Sequence, residues 1–120
     1  MCGTIDIRYP PSTTLERISK VLENTFETVE VEGNNPHFVD PKSDFVKSLL
    51  EAYEEVTGQK GYTVTMGGGT YVHDTVGGVA FGMSMPGTNN NIHGADEFIT
   101  VDELLRGIEI FKTAIIKICG

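Results

Sequence analysis

From residue 4 the chain alternates, with Ile5 and Ile7 set between Thr4, Asp6 and Arg8 in GTIDIRYP; a period of two marks a strand with one covered face, and Pro10-Pro11 ends it. The period then lengthens. Leu15, Ile18, Val21 and Leu22 fall on one face of a predicted helix and Arg17, Lys20 and Glu23 on the other, with Thr13 and Glu16 at capping-box spacing. Alternation returns in FETVEVEG, where Phe26, Val29 and Val31 are interleaved with acids, and Gly33-Asn34-Asn35-Pro36 closes the segment as a turn. The opening third therefore reads as a β-α-β unit.

Asp40-Pro41 has the form of a helix start, and Phe45, Val46, Leu49, Leu50, Tyr53 and Val56 then make a wide apolar stripe that stops at Gly58. YTVTM and GVAFG, rich in β-branched and aromatic residues, read as two short strands on either side of a glycine-rich stretch containing His73. Thr100 and Glu103 form a second capping-box pair, after which Leu104, Leu105, Ile108, Phe111, Ile115 and Ile118 keep helical spacing to the end. The class expected is α/β (α+β), and no repeat or low-complexity segment interrupts it. The first strand begins at about residue 3 and the unit before Gly33 is too short to bury a core alone, so the sequence is expected to start partway through a larger fold.

Composition narrows the function. Among 120 residues, 39% are apolar, the proportion of a globular chain. Seventeen acidic residues against nine basic ones give a net charge of −8 with no Lys/Arg cluster, which disfavours a nucleic-acid partner. Cys2 and Cys119 stand at opposite ends and form neither a disulfide framework nor a Cys-x-x-Cys pair, which fits a reducing cytoplasm. The most apolar segment, IEIFKTAIIKICG, is broken by lysines well short of a membrane span.

Two segments carry candidate chemistry. In TMGGGTY three successive glycines would let backbone N–H groups approach a carboxylate or phosphate closely, in conformations closed to residues with a Cβ; the alternative is a tight turn between strands. No Gly-Lys-Ser/Thr follows, so the Walker pattern fails, and no helix opens directly after the glycines as a dinucleotide fingerprint requires. NNNIHGADEF offers His93 as a metal ligand, with Asp96 or Glu97 to orient it or to cap the helix beyond; a zinc site takes about three or four protein ligands, so a lone histidine is more commonly structural. Arg8 is either a solvated residue on a strand face or a bidentate carboxylate clamp, and His37, beside a proline in a turn, reads as a surface residue.

Taken together and in order, GTIDIRYP, VDPKSDFVKSLLEAYEEVTGQKG, TMGGGTY, GGVAFGMSMPG and HGADEFITVDELLRGIEIF resemble the C-terminal part of the dizinc metallopeptidases of metallopeptidase family 20, which include bacterial dipeptidases of the dipeptidase V type, carnosinase and aminoacylase. The likeness covers nearly the whole chain. It implies that residues 1–38 end a ferredoxin-like lid and dimerisation domain, and that 39–120 form the helix-strand-strand-helix end of the catalytic domain. By position, His93 matches the family's last zinc ligand, with Asp96 and Glu97 supporting it. Arg8 matches the arginine that holds the substrate's terminal carboxylate, and Gly67, Gly68, Gly69 and Thr70 match the loop lining the same pocket. Many relatives carry an arginine where this chain has His73, which exchanges a fixed fork for a shorter, pH-dependent side chain.

The resemblance implies two zinc ions in the intact enzyme, with other divalent metals as alternatives, and a dipeptide or short-peptide substrate with a free C-terminal carboxylate. The other zinc ligands and the general-base glutamate of such enzymes precede the segment matched here, so the chain alone is expected to be inactive, with the remainder of the enzyme as its partner. Unpaired strand edges would favour a homo-oligomer. The reading from a different class is a free-standing oligomeric α/β module that binds a small anion at the glycine loop without catalysis.

Overall fold

The computed structural model describes residues 2–120, and among these it contains three α-helices: α1 (Leu15–Thr25), α2 (Asp44–Thr57) and α3 (Val101–Cys119), with one 3₁₀ turn at Tyr71–Asp74. The chain divides into two compact units. The first runs from the N-terminus to Phe38 and includes Gly67–Gly77; the second combines Val39–Met66 with Gly78–Gly120.

In the first unit α1 starts one residue later than its sequence pattern predicts. Thr14, extended at φ −118°, accepts the Arg17 amide on its hydroxyl, while the Thr13 amide closes a turn onto the Pro10 carbonyl at 3.0 Å. The first helical amide, Leu15, is satisfied by the Asn35 side chain at 2.8 Å, and the Tyr9 hydroxyl donates to the Asn34 carbonyl at 2.8 Å. The Asn34-Asn35 turn thus holds both the segment before α1 and the start of α1. No residue of α1 is buried, so polar ties rather than a core organise this unit.

The second unit is built on α2 against α3. Asp40 forms a turn that precedes the helix, taking the Ser43 amide on its carbonyl and the Lys42 amide on its carboxylate; Ser43 is the cap, accepting from Val46 at 3.4 Å. Gly58 ends α2 in the left-handed region at φ 67°, where a Cβ is disfavoured. Leu49, Ala52 and Ala114 are buried together, with Val79 and Phe81 packed against them and Phe81 meeting Phe111 edge to face at 5.5 Å between ring centroids. Alanine on both helices keeps their backbones close. Beside this seam Lys117 of α3 pairs with Glu55 of α2 at 3.0 Å and reaches Glu51 at 4.0 Å; the hydrogen bond to Glu55 holds the ammonium pKa above its ordinary value. Gly107 is buried under Met83, whose side-chain end would have to shift to admit a Cβ there.

The expected strands are absent: the described residues contain no strand, and the β-α-β and ferredoxin-like reading of 1–38, like the helix-strand-strand-helix reading of 39–120, is corrected accordingly. Residues 4–8, 26–31, 62–66 and 79–81 keep their alternating composition but pair with no neighbour. The reason is physical. A helix closes its hydrogen bonds within its own segment, whereas a strand needs a second strand alongside, and side-chain alternation supplies only a reason to cover one face. In residues 4–8 and 62–66 that face is largely uncovered, with Ile5, Val64 and Met66 all more than 60% exposed, whereas Val79 and Phe81 cover theirs against the helix seam.

Candidate functional site

Within the first unit the structure brings Arg8, the glycine loop and His73 together. The Arg8 guanidinium donates to the Gly67 carbonyl and lies 3.7 Å from the Asp6 carboxylate. Thr70 caps the 3₁₀ turn, its hydroxyl oxygen accepting the Val72 amide at 3.3 Å while its carbonyl accepts the His73 amide at 3.1 Å. This fold-back sets the His73 ring over Gly69, where a Cβ would meet imidazole atoms at 3.9 Å. His73 also meets His37, ring centroids 5.6 Å apart and planes inclined by 53°. An open cleft of about 400 Å³ lies here, bordered by Asn34–Phe38 on one side and His73–Gly77 on the other.

The backbone of the three glycines is not in the conformation expected of it. Neither Gly67, Gly68 nor Gly69 has a left-handed φ, and a Cβ on Gly67 or Gly68 would meet nothing within 4 Å. Among the described residues none of the three amides donates a hydrogen bond. His37, read from sequence as a surface residue, is half-buried against His73. No periodicity marks it, because the contact joins segments 36 positions apart in the chain (73 − 37).

In the second unit, residues 90–98 form a tight loop. Asn91, His93 and Asp96 all take left-handed φ values of 55°, 63° and 56°, a conformation that costs a side-chain-bearing residue of order 1 kcal/mol. Local bonds hold it there: the Gly94 amide to the Asn91 carbonyl at 2.6 Å, the Asn91 side chain to the Ala95 carbonyl at 2.9 Å, and the Phe98 amide to the Asn90 carbonyl at 3.1 Å. Glu97 accepts the backbone N–H of His93 at 3.2 Å, so its carboxylate fixes the loop rather than the imidazole. The His93, Asp96 and Glu97 side chains are exposed.

The loop is anchored to α3 through Asn90, buried to 9% exposure, whose amide group donates to both Glu103 carboxylate oxygens at 3.3 and 3.4 Å. Glu103 closes both halves of the capping box with Thr100. The Thr100 backbone N–H, then its hydroxyl, and then Asn90 and Thr88 hold the Glu103 carboxyl below its ordinary pKa. Asn90 was not distinguishable in sequence from its neighbours Asn89 and Asn91; only its burial separates it.

Among the described residues no group of three or more His, Cys, Asp or Glu side chains is placed to hold a metal ion. A zinc site takes about three or four such ligands. This chain's own donor set therefore does not make one, and His93 offers a single imidazole. No helix among the described residues is long and apolar enough to cross a membrane, and Cys2 and Cys119 are both free and exposed.

These features have a family. The chain belongs to Peptidase family M20/M25/M40, whose model matches residues 4–117. Among individual proteins it is similar to the "Putative dipeptidase YtjP" of Bacillus subtilis (strain 168), at 38% identity over 95% of this chain, and to the Beta-Ala-Xaa dipeptidase of Lactobacillus delbrueckii subsp. lactis, at 34% over 94%. The chain spans about a quarter of the length of these relatives, 25% of each.

Proposed function

We propose that this chain is the C-terminal part of a cytoplasmic zinc-dependent dipeptidase that hydrolyses dipeptides or short peptides with a free C-terminal carboxylate, and that alone it is catalytically silent. The observation that carries this reading is the family match along residues 4–117, in a chain one quarter the length of relatives whose names say dipeptidase.

In this reading Arg8 binds the substrate's terminal carboxylate. Guanidinium has five N–H donors in a fixed fork, so the bond to Gly67 leaves donors for a bidentate pair. The amides of Gly67, Gly68 and Gly69 face the same carboxylate, their side-chain-free backbone allowing its close approach. The Thr70 oxygen is engaged by Val72, which leaves the hydroxyl hydrogen to donate to substrate. His93 supplies one nitrogen to zinc whose remaining ligands belong to the rest of the enzyme, with Glu97 holding the left-handed loop that presents it and Asp96 lying within that loop. Support for that role lies in the loop itself: strained residues persist where surrounding bonds over-determine them, and such residues gather at functional sites.

The test is Arg8→Lys in the full-length enzyme. Charge is kept and the fork is lost, so kcat/KM for a simple dipeptide falls by about tenfold or more, the scale of one lost charge-assisted hydrogen bond. Unchanged kinetics returns Arg8 to a solvated side chain and removes the carboxylate site from the proposal.

A further inference from the structure

We propose that His37 and His73 form a paired-imidazole subsite that selects substrates whose C-terminal residue carries a second carboxylate, that is, peptides ending in aspartate or glutamate. The inference rests on Arg8 and the glycine loop being the seat of the substrate's terminal carboxylate. Arg8 is bonded to Gly67 and the His73 ring lies over Gly69. Two residues of chain span at most about 7 Å, so the carboxylate seat and the histidine pair are adjacent. A terminal aspartate or glutamate carries its two carboxylates on that same short scale, one or two methylenes from a shared α-carbon.

The pair suits an anion. Two imidazole rings 5.6 Å apart repel when both are charged, and a carboxylate beside the pair relieves that repulsion. The other polar groups bordering the cleft are neutral: Asn34 and Asn35, whose amide groups can also donate, and Thr75, whose hydroxyl hydrogen is already given to the Val72 carbonyl. The charged groups facing it are few. Asp74, on the 3₁₀ turn, is the one opposing charge in the cleft wall; the Asn34–Phe38 wall has no charged side chain besides His37; and Arg8, with Asp6 beside it, lies across the glycine loop. A doubly charged pair outweighs Asp74, and a neutral pair does not. Imidazole gains charge with acid, so selection for the acidic side chain is present on the acid side and fades as pH rises. An arginine at position 73 would hold its charge throughout.

The experiment compares Ala-Glu with Ala-Gln, which match in size and differ in charge, as substrates of the full-length enzyme from about pH 5.5 to 8. The ratio of their kcat/KM values cancels the pH dependence of the shared hydrolytic chemistry. The expected ratio favours Ala-Glu by about tenfold at the acid end and declines towards unity at the alkaline end. In the His37→Gln/His73→Gln double variant, shown to be folded by circular dichroism, the acid-end preference is lost and the ratio is flat. A wild-type ratio that is constant with pH overturns the proposal without recourse to any variant. So does a folded double variant that keeps the wild-type profile. Arg8→Ala separates the two readings: raised KM for both dipeptides together with a flat wild-type ratio removes only the histidine subsite, whereas unaltered KM for both removes the carboxylate seat and the subsite with it.

Discussion

Leu49→Ala tests whether the α2–α3 seam is the core of the second unit. Leu49 is 7% exposed and packs with Ala52 and Ala114, so the substitution deletes three nearly buried carbons. Transfer alone accounts for about 2 kcal/mol at about 0.8 per carbon, and incomplete closure of the space raises the cost to about 3 kcal/mol. Against a domain stability of about 5–15 kcal/mol that is a large share. The matched control is Leu105→Ala on α3, where the same atoms are removed from a side chain 56% exposed, at an expected cost below about 1 kcal/mol. Urea unfolding followed by circular dichroism at 222 nm reads mainly the two helices concerned. The expected result is an unfolding free energy lowered for Leu49→Ala by about 2 kcal/mol more than for Leu105→Ala, seen as a lower midpoint at unchanged slope. Equal losses would refute the reasoning, because they would mean that the outer face of α3 is as covered as its seam.

Thr100→Ala removes the α3 cap and costs about 1 kcal/mol, seen in the same unfolding assay. The Glu103 carboxyl has a lowered pKa in the folded chain, so its stabilising contribution is present above the unfolded carboxylate value and is lost as pH falls through the folded one. Glu103→Gln therefore melts below wild type at pH 7, and the gap narrows on acidification towards about pH 3, which a series of thermal melts would show. Gly58→Ala places a Cβ at φ 67° and destabilises by about 1 kcal/mol, despite meeting no atom within 4 Å; an unchanged melting temperature would count against the left-handed cap.

The helices were legible because their information is local. Thr100 and Glu103 specify a capping box three residues apart, and the structure forms both halves; Gly58 ends α2 where its sequence predicts. The starts of α1 and α2 moved to Thr14 and Ser43, since several residues able to cap stand side by side and the turns at Pro10 and Asp40 claim the earlier ones. The alternating segments misled because their pattern states a demand for a partner without containing it. The same limit hid the His37–His73 contact, and Asn90 among three consecutive asparagines. His93 could be singled out as a candidate in sequence, but not the left-handed backbone that presents it.

The most direct test of the proposed function measures zinc stoichiometry and dipeptide hydrolysis together, on the 120-residue chain, the full-length enzyme and its His93→Ala variant, after chelation, dialysis and readdition of zinc. Strong zinc affinity requires several deprotonated ligands in one preformed site, and the described residues contain no such set. The chain alone is expected to retain no zinc and cleave nothing, the full-length enzyme to bind zinc and turn over, and His93→Ala to lose both metal and nearly all activity. Tight stoichiometric zinc on the chain alone, or normal zinc and a normal rate in the full-length variant, would contradict the assignment.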